Sequence, residues 1–147
     1  MSEEEAFVDD GRCFACGPLN PIGLRMHFER DGDDGAKAEI VLGGQFQGWR
    51  GVAHGGIVMA ILDEVMAHAV GFKGYRGVTA GLNARFKKPV PLGTPLTVRA
   101  HISEMRRTLL YVEAEIRAGG ELLASGDGKF IVKGTVEPGR LGAGAFQ

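Results

Sequence analysis

The residues best placed to do chemistry stand close together near the middle of the chain: His54-Gly55-Gly56, then Asp63 and Glu64, then His68. Glycines ahead of a helix leave its first backbone N–H groups open, and the helix dipole adds partial positive charge there. Such a terminus can receive an oxyanion or a polarised carbonyl oxygen. A carboxylate further along can serve as a general base or a nucleophile. Histidine beside glycine can equally cap or fill a turn, so these residues alone do not decide the matter. Glu64 is the second choice for the base, because it precedes His68 by four residues, the spacing of a local helix pair.

The elements that must hold these residues follow from hydrophobic periodicity. Leu24, Met26 and Phe28 alternate with polar residues, as do Ala36, Ala38, Ile40 and Leu42, and the turn-like Asp31–Gly35 between them predicts a hairpin. From about Gly55 to Gly71 the period changes: Ile57, Val58, Ile61, Leu62, Val65, Met66 and Ala69 recur at helical spacing. Four alternating segments follow. The first sets Val78, Ala80, Leu82, Ala84 and Phe86 on one face and Thr79, Asn83, Arg85 and Lys87 on the other. Pro89–Gly93 interrupts, then come Leu96–Ile102 and Leu110–Ile116, a Gly119-Gly120 hairpin turn, and a last strand from about Leu122 to Lys133 with Phe130 and Val132 in the core. The order strand, strand, helix, four strands predicts an α+β layer structure, an antiparallel six-stranded sheet around one long central helix. Residues 1–21 read as an N-terminal lead-in, 22–133 as the domain and 134–147 as a flexible tail.

The helix is not simply amphipathic. Its face opposite the sheet carries Met59, Ala60, Asp63, Ala67 and Val70, with Asp63 the only charge among them. A helix apolar nearly all round is expected to be buried nearly all round, here against a second subunit. A carboxylate there is costly unless it is paired, which fits either a functional group or a hydrogen-bonded interface aspartate. Asp63 stands nine residues beyond His54, so in one chain it lies more than about 10 Å along the axis from the helix start. Two subunits packed through this face could join one chain's helix terminus to the other's carboxylate.

Composition sets the outer bounds. The chain has 147 residues, 44% hydrophobic and 24% charged, with a formal net charge of −1. That suits a single soluble domain and gives no basic excess for nucleic acid. The apolar runs stop short of a membrane span, and the acidic start is unlike a signal peptide, so a cytoplasmic location is expected. The only two cysteines form Cys13-Phe14-Ala15-Cys16-Gly17. A tetrahedral zinc site needs two more ligands, and no second CxxC or CxxH follows. Pro18 and Pro21 come at once, so the pair reads as a rigid turn rather than a metal or redox site, although a zinc site shared between two chains stays open.

The run HGGIVMAILDEVMAHA resembles the helix of the hotdog-fold thioesterases of the phenylacetate-pathway type. CFACGPLNPIGL and GWRGVAHGG resemble a bacterial subgroup related to the human thioesterase-superfamily proteins. The likeness runs from about Cys13 to Lys133. It implies an acyl-coenzyme A thioesterase acting on an aromatic or medium-chain acyl group. It also implies a homodimer, with tetramers in some members, whose active sites lie between subunits, and no cofactor or metal. By that resemblance the Gly55 N–H polarises the thioester carbonyl, with Gly56 beside it. Asp63 acts as base or nucleophile, Thr79 orients the water or the carboxylate, and His54 supports the helix start. Several relatives carry an asparagine where this chain has Gly48, and Gln47 is the candidate substitute. Asn83, Arg85, Lys87, Lys88, Arg106 and Arg107 are candidates to meet substrate and coenzyme A phosphates, each of them an ordinary solvated residue otherwise. A non-catalytic acyl-CoA-binding module is the alternative. A hotdog hydratase or dehydratase ranks lower, because HFPG-like and DxNxxH-like runs are missing.

Overall fold

The structure is a computed structural model that describes residues 8–136. Strand β1 is Glu29–Arg30 and β2 is Gly35–Val41; a 3-10 turn at Gly44–Phe46 leads to helix α1, Gly55–Phe72. Then come β3 (Tyr75–Phe86), β4 (Pro95–Arg106), β5 (Leu109–Ala118) and β6 (Glu121–Thr135). The six strands form one antiparallel sheet in the order β1-β2-β4-β5-β6-β3, with α1 packed against β2 to β6. This is the expected hotdog fold: α+β, one sheet around one long helix.

The core follows from the patterning. Val58, Ile61, Leu62, Val65, Met66 and Ala69 on α1 are almost fully buried, as are Val98, Leu110, Ile116 and Phe130 on the sheet. Gly119 and Gly120 both take positive φ, 55° and 83°, as a tight two-residue hairpin requires. By length and composition α1 could cross a membrane, which the apolar runs in the sequence did not suggest; in the structure it is half buried as the core helix of the sheet.

Three expectations change. The alternation at Leu24, Met26 and Phe28 is real, and all three are buried. Their segment nevertheless pairs with the lead-in: Leu24 and Met26 donate backbone N–H bonds to Phe14 and Ala15. Only Glu29 and Arg30 reach β2 as a strand. The lead-in accordingly packs into the core, with Ala15 and Cys16 buried. At the other end, β6 runs through Thr135, and residues 137–147 of the expected tail lie outside the described residues.

The third concerns the second face of α1. Val70 is fully buried within the single chain. A Cβ on Gly77 of β3 would come within 2.9 Å of a Val70 methyl, so glycine there lets β3 close over this end of the helix. Met59, Ala60, Asp63 and Ala67 stay half-buried. The chain's own third strand thus covers part of the face expected to await a partner.

Candidate active site

Asp63 lies in the third turn of α1, beside Thr79 of β3. Thr79 Oγ1 donates a hydrogen bond to Asp63 Oδ1 at 2.8 Å. The alternation along β3 places Thr79 on the face away from the core, and the structure reverses that. Thr79 is opposite Phe130 and Gly81 opposite Lys129, so Ala80 is one residue too many. A one-residue bulge turns the side chains before it to the other face. Thr79 therefore shares the helix-facing side with Leu82, while Asn83 and Arg85 point outward. Burial pushes the Asp63 carboxyl above its usual range, the bond from Thr79 opposes the rise, and the charge of Glu64 adds to it.

The helix start is built as a donor site. His54 is the N-cap, and its Nδ1 accepts the Gly56 N–H at 2.9 Å. That bond fixes the remaining ring proton on Nε2. The Gly55 N–H has no acceptor among the described residues, and Gly55 is exposed. A Cβ on Gly55 would meet nothing nearer than the Phe86 ring at 3.9 Å. The fold itself does not require glycine here; what glycine leaves is room above an open N–H. Gly55 and Asp63 are eight residues apart, about 12 Å along the axis.

Glu64 turns the other way, about 100° around the helix from Asp63. It forms the expected pair with His68, Nε2 to Oε1 at 3.1 Å, but in the interior, with His68 stacked on Phe28 at 4.1 Å between ring centres. Cys13 Sγ donates to the same Glu64 oxygen at 3.5 Å. Burial works to raise the Glu64 carboxyl, but His68 and the two thiols hold it below its usual range. The Cys13 thiol is lowered, chiefly by a hydrogen bond from Cys16, whose own thiol is strongly raised. Nothing local in the sequence joins Cys13 to Glu64, 51 residues away.

The remaining candidates are scattered. Gln47 Oε1 accepts the Gly51 N–H and so braces the loop before the helix. A Cβ at Gly48 would come within 3.0 Å of the His54 Cα, which leaves no room there for an asparagine side chain without movement. Asn83 and Arg85 both engage Asp127 on the outer face of the sheet. Lys88 pairs with Glu121, and Lys87 follows the end of β3. Arg106, paired with Glu104, and Arg107 form the β4–β5 turn. That turn adjoins the Val78 end of β3, so the two basic groups lie about 25 Å apart in one chain.

Fold and site together describe a hotdog domain with a buried-edge carboxylate and an open helix terminus. The thioesterase superfamily model matches residues 50–125, and the chain belongs to that family. It is 25% identical over 131 residues to the acyl-coenzyme A thioesterase THEM4 of Bos taurus, covering 87% of this chain and 54% of the relative. The chain spans about half the length of the curated relatives it matches. Among solved structures, a thioesterase superfamily protein superposes with TM-score 0.78 at 28% identity, over 82% of this chain and 60% of that one. A hypothetical thioesterase of Streptococcus pneumoniae, solved with coenzyme A, gives TM-score 0.72 at 20% identity, over 76% of this chain and 91% of that one. Variants of the pneumococcal protein with an aspartate or a threonine replaced by alanine superpose with TM-scores of 0.71 and 0.68, each at 20% identity.

Proposed function

We propose that the protein hydrolyses the thioester of an acyl-coenzyme A, releasing the carboxylic acid and the coenzyme A thiol. The observation that carries this reading is Asp63, a half-buried carboxylate on an otherwise apolar helix face, raised by burial and held by Thr79. Asp63 activates the attacking water as general base, or attacks the carbonyl itself. The open Gly55 N–H stabilises the carbonyl oxygen as it gains negative charge. The acyl-coenzyme A thioesterase THEM4 and the coenzyme A-bound pneumococcal structure support this substrate class. The proposed substrate is an aromatic or medium-chain acyl-CoA, handled in the cytoplasm by a member of the phenylacetate-type subgroup.

The 12 Å between Gly55 and Asp63 is too long for both to act on one carbonyl carbon. We therefore assign each active site to two subunits of a homodimer, Gly55 from one and Asp63 from the other. The same arrangement would let the two separated basic groups, Arg106–Arg107 and Lys87–Lys88, reach one coenzyme A from different chains. A thiol-release assay over aromatic and straight-chain acyl-CoAs tests the reading. Turnover of at least one class is expected; tight binding of every acyl-CoA with no thiol release would replace the enzyme by a binding module.

A further inference from the structure

The lead-in turn and α1 bring together three groups that the thioesterase chemistry does not use. Cys13 and Cys16 are free cysteines, half-buried and buried, and with Glu64 they place three ligand atoms within 4.8 Å of one another. The segment Cys13-Phe14-Ala15-Cys16-Gly17 is closed by a Gly17 N–H to Cys13 C=O bond of 2.8 Å. A Cβ on Gly17 would lie only 2.4 Å from the Cys13 nitrogen, so the turn closes this tightly only with glycine.

We propose that Cys13, Cys16 and Glu64 form a binding site for one zinc-class divalent metal ion per chain. Metal–sulfur and metal–oxygen bonds of about 2.3 and 2.0 Å at tetrahedral angles separate the two ligand atoms by about 3.5 Å. Cys13 Sγ and Glu64 Oε1 already stand 3.5 Å apart. Two thiolates and one carboxylate suit a borderline-soft ion and not magnesium or calcium. His68 supplies the outer support that such sites commonly have, its Nε2 on the carboxylate oxygen and its ring fixed against Phe28. Cys13, Cys16 and Glu64 line a cleft of about 610 Å³ also bordered by Asp9, Asp10 and Arg12, where a water or a carboxylate could complete the set. The ion's role is structural. It would close a 51-residue loop and pin the lead-in to α1 one residue from Asp63.

The test uses the full chain, reduced, stripped with a chelator and titrated with cobalt(II), then with zinc. The expected result is one cobalt per chain, with thiolate-to-cobalt charge transfer and the strong visible bands of a tetrahedral site, displaced by stoichiometric zinc. Cys13→Ser is expected to abolish the charge-transfer band. Glu64→Gln is expected to weaken cobalt binding at least about 10-fold while the far-ultraviolet circular dichroism stays native. Absence of thiolate bands in the reduced wild type would overturn the proposal. So would Glu64→Gln or Cys13→Ser binding as tightly as wild type. A variant that fails to fold is replaced by Glu64→Asp, which shortens the ligand by one methylene and must also weaken binding. Because the readout is spectroscopic, its outcome is independent of whether the protein cleaves thioesters.

Discussion

Thr79 on β3 donates a 2.8 Å hydrogen bond to Asp63 on α1, although strand alternation puts Thr79 on the opposite face. The Ala80 bulge is what joins them. The bond engages one oxygen of Asp63, and no hydrogen bond among the described residues engages the other, the arrangement a base acting on water needs.

Asp63→Asn keeps the size of the side chain and its bond to Thr79 but removes the base. The expected fall in kcat is about 10²- to 10⁴-fold, with KM little changed. A carboxyl whose folded pKa is raised is favoured as the neutral acid, so its stability contribution is present at low pH and lost as pH rises through the raised value. At neutral pH Asp63→Asn should therefore melt no lower than wild type. A much lower Tm would make the lost activity a folding defect.

Thr79→Val deletes the donor at nearly constant volume. That donor favours the ionised Asp63, so its loss raises the Asp63 pKa further. Because the base acts when ionised, the acid limb of the kcat/KM profile should move to higher pH, with kcat about 5- to 10-fold lower. Glu64 is the other charge acting on Asp63 and is the same in both proteins. An unmoved acid limb would separate Thr79 from the reacting carboxylate.

Gly55→Pro removes the N–H that the mechanism needs and little else. Proline is well accepted at the first helical position, and His54 has φ −59° and ψ 138°, the conformation that precedes proline readily. The nearest atoms to an added Cβ are those of the Phe86 ring, 3.9 Å away. kcat should fall about 10²- to 10³-fold while the thermal transition holds. Full activity would remove Gly55 from the mechanism.

Much of this was legible because it is local. The 3.6-residue period gave α1 within about one residue, and Asp63 stood out as a lone charge among Met59, Ala60, Ala67 and Val70. The face of Thr79 was not legible, since a bulge is a property of the β3–β6 pairing and not of β3. Leu24, Met26 and Phe28 showed burial correctly, but alternation does not say which segment a backbone pairs with, and here it is Phe14 and Ala15. The meeting of Cys13 with Glu64 depends on that same packing and left no mark at either position.

The shared active site is tested most directly by a mixed dimer. Asp63→Asn and Gly55→Pro chains are co-expressed with different tags, and the dimer carrying both is purified. One of its two sites then combines an intact Gly55 with an intact Asp63, and the other holds both substitutions. The mixed dimer is expected to show about half the wild-type activity per dimer, while each parent dimer is nearly inactive. A mixed dimer no more active than its parents would contradict a site built from two subunits.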